Sequence, residues 1–315
     1  MPETRARTVR RGVAAAGARR EGPVAFGLPA TRPATLGRPS ACGRRRRSRC
    51  NAGFRHGLLA VALAAVAGAA TDAAAQDTDW PVYLGDAGRS HYSALDQIDR
   101  GNVHELEVAW TYDSGDLRGS RSTMYTSPLV IDGVLYGLSP RLGRFALDAA
   151  TGVELWRHDP GLPGAAQRGL MWWDGDGGPR LFYTAGRILI ALDPATGEPA
   201  EAFGDGGRLD LMPPGESGPM TVTAPGVVFE DRLVFGFSTS ESDGALPGSI
   251  RAFDAGTGDL EWQFHSVPRP DDPGAETWAP GSLETAGGAN TWTAMALDEE
   301  RGLLFVPTGS ATPDF

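Results

Sequence analysis

Four histidines fall downstream of residue 75. His91, His104, His158 and His265 are scattered along the chain, with no spacing that would let two of them share a metal ion. They are expected in structural or solvated roles. Both cysteines, Cys42 and Cys50, come earlier. Residues 76–315 therefore offer no disulfide, no thiolate metal centre and no C-x-x-C-H haem attachment. The Gly-x-Gly pieces lack the strand-to-helix setting of a nucleotide loop, and no G-x-S-x-G elbow is present for a hydrolase. From Gln76 onward the chain carries 15 arginines against 36 acids, a net charge of −21. That balance argues for no nucleic acid partner, because phosphate binding needs basic patches.

The region ahead of Gln76 has the opposite character. Residues 1–57 hold 14 of the 29 basic residues and only two acids, Glu3 and Glu21. With almost no aromatic content they cannot bury enough apolar surface to fold, and a disordered Arg-rich leader is expected. Residues 58–75 read as a secretory signal peptide. An apolar run from Leu58 to Ala70 follows Arg49 and Arg55 and ends in Ala73-Ala74-Ala75. The run is shorter than the ~20 apolar residues that cross a bilayer. Cleavage after Ala75 and a periplasmic destination are the expectations, with membrane association no more than peripheral.

The elements that position the side chains are marked by repetition. One phrase occurs as ALDAATGVELW from Ala146, ALDPATGEP from Ala191 and AFDAGTGDLEW from Ala252, with a degenerate copy, ALDEERGLLF, from Ala296. Its aspartates, Asp148, Asp193, Asp254 and Asp298, lie 45, 61 and 44 residues apart. Repeats of ~40–50 residues built from short strands indicate β-propeller blades. Within the phrase, an apolar run makes a strand, the Asp accepts hydrogen bonds from nearby amides, and the Gly takes positive φ. VELW and DLEW then return as strands. Trp156 and Trp262 each follow their Asp by eight residues and are expected at equivalent places between blades. Hairpins are expected around Asp132-Gly133, Ala185-Gly186 and Glu230-Asp231. No apolar period near 3.6 is sustained, so the fold is all-β with little helix. Trp110 reads as the outer strand of one further blade. Residues 76–315 are thus expected to form a partial propeller, the first half of a longer one, with a complete ring of four or five blades as the alternative.

The wording of the blades resembles a known family. DWPVYLGDAGRSHYSALDQIDRGNVHELEVAWTYDSGD, from Asp79 to Asp116, resembles the opening of the pyrroloquinoline-quinone (PQQ) dependent dehydrogenases. The Ala-x-Asp-x-x-Thr-Gly-x-x-x-Trp phrase resembles their tryptophan-docking motif. GEPAEAFGDGGRLDL, HSVPRPDDPGAETW and GGANTWTAMALDEERGLLFVPTGSATPDF are most similar to the membrane-associated glucose/quinate-type branch. The resemblance implies an eight-bladed propeller with PQQ on its axis, a divalent cation (calcium or magnesium) on a quinone carbonyl, and an Asp acting as base. It implies oxidation of a sugar, polyol or other alcohol, with ubiquinone or cytochrome c as acceptor.

Carried over residue by residue, the resemblance assigns a site. Arg168, in AAQRGLMWW, matches the arginine that holds PQQ, and Trp292, in GGANTW, matches the tryptophan floor beneath it. Thr221 and Thr223 fall where hydroxyls touch the cofactor, and Arg141 offers a second carboxylate partner. These types suit a flat tricarboxylate, since guanidinium pairs with carboxylate and a ring needs an aromatic floor. Glu241 matches the metal-binding glutamate, with Asp243 competing for the role, and Ser310 stands where the family has an asparagine ligand. Tyr125 replaces a Glu or Gln, and the paired cysteines of the methanol-oxidising branch are missing. The catalytic Asp falls in a later blade, so no base is assigned within residues 76–315. The departures at Ser310 and Tyr125 motivate a rival reading: an envelope propeller that binds proteins and no longer binds cofactor.

Overall fold

The computed structural model describes residues 25–27, 79–117, 123–159, 161 and 167–312. The expected leader and signal peptide lie outside the described residues, except for one short strand, β1 (Ala25–Gly27). The first blade is β2 (Leu129–Ile131), β3 (Val134–Leu138), β4 (Arg144–Asp148) and β5 (Glu154–His158), antiparallel and in that order. The second is β6 (Met171–Gly175), β7 (Gly178–Ala185), β8 (Ile188–Leu192) and β9 (Arg208–Asp210). A two-stranded pair follows, β10 (Met220–Thr221) against β13 (Ser238–Thr239). The third blade runs β11 (Val227–Phe229), β12 (Arg232–Phe235), β14 (Ile250–Asp254) and β15 (Leu260–Phe264). Last comes the hairpin β16 (Ala296–Asp298) and β17 (Leu303–Phe305), with β1 on the far edge of β17. The described residues contain only three-residue 3₁₀ turns as helix, so the chain is an all-β propeller array.

Blades stack because each strand presents alternate side chains to its two neighbours. Leu181 and Tyr183 on β7 join Leu129, Tyr136 and Leu138 of the first blade. Phe182, between them, joins Leu233, Phe235 and Phe253 of the third. All three are fully buried, and each such side chain stabilises by about 1.5–3 kcal/mol. A third cluster, with Val234, Ile250, Met295 and Leu304, seals the third blade against the last hairpin.

The docking phrase works as its sequence suggests. Asp148 Oδ1 accepts the Thr151 N–H at 2.8 Å, and Asp254 Oδ1 accepts the Thr257 N–H at 2.6 Å. Trp110 Nε1 donates to Ala149 O at 3.2 Å, and Trp156 Nε1 donates to Pro194 O at 2.9 Å. Both acceptors directly follow the phrase aspartate. Each indole lies on the phrase glycine of the next blade. A Cβ on Gly152 or Gly197 would come within 2.5 Å of the ring, and both glycines have positive φ, 72° and 74°. The second blade has no such tryptophan. There Arg180, on β7, donates to the equivalent carbonyl, Ala255 O, at 2.8 Å, and Phe203 packs near Gly258. Both tryptophan-bearing outer strands carry the same bulge, pairing Ala146 with Trp156 and Ala252 with Trp262 before the register shifts. Trp262 Nε1 is buried and has no acceptor among the described residues.

Three sequence expectations shift. Trp110, expected on an outer strand, docks on the first blade from a segment that forms no strand. The turn expected at Ala185-Gly186 sits one residue on, because Ala185 still pairs with Ile188. The fourth phrase copy is not a docking strand. Asp148, Asp193 and Asp254 end or follow the third strand of their blades, whereas Asp298 ends β16, the strand that enters the last hairpin. Its local turn is alike, with Asp298 Oδ1 accepting the Arg301 N–H at 3.0 Å.

Candidate functional site at the hub

Strands β2, β6 and β11 are the inner edges of their blades, and β6 and β11 approach each other closely. The segments that lead into these strands and into β16 therefore meet. Ser127 lies just ahead of β2, Arg168 ahead of β6, Thr223 ahead of β11 and Trp292 ahead of β16. A hydrogen-bonded chain joins them in order. Ser127 N donates to Arg168 O at 2.8 Å, and Arg168 N donates to Thr223 O at 3.2 Å. The Arg168 guanidinium donates to Thr223 Oγ1 at 3.1 Å, and that hydroxyl donates to Trp292 O at 3.1 Å. Its central carbon lies 5.9 Å from the Trp292 ring centroid. Trp292 is 51 % exposed, so about half of a large indole stays open beside a cation. That is a surface on which a flat anion can stack.

The other predicted residues share this end of the sheets. In an antiparallel blade, the entry to the first strand and the connection from second to third strand lie on the same side. Arg141 is on the β3–β4 connection, Glu241 on the connection from β12 to β14, and Ser310 follows β17. Arg141 is exposed, and its N–H donates to Asp116 Oδ2 at 3.3 Å. Thr221 ends β10 opposite Ser238. The structure brings Arg168, Thr223 and Trp292 together; Arg141 and Thr221 stand outside that hydrogen-bonded set.

Glu241 and Ser310 are both exposed, on loops that meet through Asn290. Asn290 Nδ2 donates to Thr239 Oγ1 at 3.2 Å, its carbonyl accepts Gly309 N at 2.9 Å, and Ala289 N donates to Ser310 O at 2.7 Å. A calcium ion takes six to eight oxygen ligands, and no group of three His, Cys, Asp or Glu that could hold a metal occurs among the described residues. This donor set does not close a cation site by itself. His158 and His265 are structural, bonded to Thr196 O at 2.9 Å and Asp272 Oδ2 at 2.6 Å.

Three contributors have no signal in the sequence. Asn290 lies within the GGANTW stretch, but its role in joining two loops depends on tertiary contact. Tyr83 is buried with its ring against Gly169, where a Cβ would come within 2.9 Å of it. Burial pushes its phenol up, against the opposing pull of Arg168 and Arg89. Arg89 donates to the Tyr83, Gly226 and Met295 carbonyls.

An all-β propeller with docked tryptophans, and a cation–indole pair where its inner strands meet, is a quinoprotein-type architecture. The family model described as PQQ, glucose/ethanol/alcohol dehydrogenase, beta-propeller domain, matches residues 80–315. The chain belongs to that family. It is 33 % identical over 265 residues to the quinohemoprotein alcohol dehydrogenase of Comamonas testosteroni, covering 76 % of this chain and 34 % of the relative. It is 30 % identical over 273 residues to quinoprotein glucose dehydrogenase A of Acinetobacter calcoaceticus, covering 76 % and 34 %. The crystal structure of the Comamonas enzyme superposes with a TM-score of 0.63 at 31 % identity, covering 76 % of this chain and 36 % of that one. The chain spans about a third of the length of these curated relatives.

Proposed function

We propose that this chain supplies the hub of a PQQ-dependent dehydrogenase that oxidises an alcohol or sugar and passes the electrons to ubiquinone or a cytochrome c. The observation that carries this reading is the convergence of Arg168, Thr223 and Trp292. Arg168 would hold a carboxylate of the cofactor through a charged hydrogen bond. Thr223 orients that guanidinium, and Trp292 would provide an aromatic floor for the ring system. When bound, PQQ supplies the two-electron acceptor. Glu241 and Ser310 would offer two oxygen donors to a calcium or magnesium ion, which would need further donors to be held. An exported, periplasmic protein, at most peripherally membrane-associated, fits the apolar run before Ala75. No helix among the described residues is long and apolar enough to cross a membrane.

The test is reconstitution. The full protein is mixed with PQQ and calcium, and reduction of an artificial dye is followed with primary alcohols and aldoses. Turnover supports the dehydrogenase. A folded protein that binds no quinone and reduces no dye would favour the protein-binding scaffold.

A further inference from the structure

The segment from Trp80 to His91 crosses the region where the inner strands meet. Trp80 pairs with Val130 of β2, and Ala87 O accepts Leu297 N of β16 at 2.9 Å. Three non-glycine residues of this segment, Leu84, Arg89 and His91, have left-handed backbones with φ of 64°, 60° and 56°. Such conformations cost about 1–2 kcal/mol per residue and persist only where surroundings impose them.

That loop delivers one side chain, Arg89. Its Nη1 donates to Tyr83 O at 2.7 Å, its Nη2 to Gly226 O at 3.1 Å and its Nε to Met295 O at 2.9 Å. Gly226 is three residues beyond Thr223, and Met295 is three beyond Trp292. The Arg89 guanidinium also lies 5.6 Å from the centroid of the Tyr83 ring, which packs on Gly169 beside Arg168. One planar fork therefore ties together the supports of all three hub residues. Only arginine offers donors in that fixed geometry.

We propose that Arg89 is a positioning residue: it sets the spacing between the segments bearing Thr223 and Trp292 and holds Tyr83 against Gly169, next to Arg168. Its consequence for cofactor affinity rests on the functional reading above. Its mechanical role does not.

The test uses the full protein and two variants, with two readouts. Arg89→Met removes the fork. Arg89→Lys keeps the charge and loses the geometry. Hydrogen exchange reports the Ser127 and Arg168 amides, which bridge neighbouring blades, against the β8 amides. Equilibrium binding reports the PQQ dissociation constant. In both variants the Ser127 and Arg168 amides are expected to exchange about tenfold faster while β8 is unchanged, and the dissociation constant to rise about tenfold, as a change of 1.4 kcal/mol would produce. Uniformly faster exchange would make Arg89 a general stabiliser and overturn the proposal. So would full recovery in Arg89→Lys, which would assign the effect to charge alone. Local exchange that rises with unchanged quinone affinity would support the brace and overturn the consequence drawn for cofactor affinity. Should the unaltered protein bind no PQQ, the functional reading fails, and the exchange pattern still decides whether Arg89 braces the hub.

Discussion

Gly197→Ala tests the docking of one blade on the next. Gly197 holds φ of 74°, and a Cβ there would lie 2.5 Å from Trp156 Cε3 and 2.7 Å from His158 Cδ2. The left-handed backbone costs an alanine about 1–2 kcal/mol. Displacing the indole also lengthens the 2.9 Å bond from Trp156 Nε1 to Pro194 O, worth about 1 kcal/mol. It disturbs ring contacts with Tyr136 and His158 at 6.1 and 5.8 Å, worth about 0.5–1.5 kcal/mol each. The expected loss is about 3–6 kcal/mol in all. Gly186→Ala is the control, since Gly186 has φ of 64° and a Cβ added there would meet nothing within 4 Å; it should lose only the backbone cost, about 1–2 kcal/mol. Urea unfolding of both variants gives the comparison. Equal losses would show that Gly197 is needed only for its backbone, and the docking explanation would be wrong.

Arg180→Met removes the donor that replaces the docking tryptophan in the second blade, and should destabilise by about 1–3 kcal/mol in urea unfolding, because the buried Ala255 carbonyl loses its charged partner. Trp156→Phe should cost about 1 kcal/mol more than Trp262→Phe, because of these two only Trp156 has an acceptor for its N–H among the described residues. Burial pushes the Asp116 carboxyl up, but the Ser139 and Ser114 hydroxyls and the Arg141 N–H outweigh it and hold the carboxyl below its usual range. Asp86 is held down by Ser90. Folded values below the unfolded ~3.9 mean stability present above that pH and lost as pH falls through the folded values. Urea midpoints should be flat from about pH 7 to 5 and fall below about pH 4, less steeply in Ser139→Ala. Arg168→Ala should weaken PQQ binding by about 1.5–3 kcal/mol, the worth of a hydrogen bond from a charged donor, in equilibrium dialysis.

Much of the fold is legible in the chain because the docking phrase is a local device. Asp148, Thr151 and Gly152 make their turn from neighbours in sequence, and the indole eight residues on finds the next turn by repetition. The same locality explains the misplaced fourth copy. Asp298 and Arg301 form an equivalent turn, and nothing within ten residues records whether the strand is first or third in its blade. Arg180 leaves no signal, since an arginine on a second strand is ordinary until Ala255 O is seen to lie opposite it. The hub is partly legible. Arg168 and Trp292 stand out through the wording around them, and they do converge with Thr223. Arg89 and Asn290 act through carbonyls and loops distant in sequence, which spacing does not encode. Glu241 matches a metal ligand in the wording of its loop and Ser310 replaces one, and they share one end of the sheets without forming a closed donor set among the described residues.

The most direct measurement follows the indole fluorescence as PQQ is added to the full protein and to Trp292→Phe. Stacking at the hub predicts saturable quenching in the unaltered protein, with most of that quenching absent from the variant. Identical quenching curves in the two proteins would contradict the placement of a flat anionic ring on Trp292 beside Arg168.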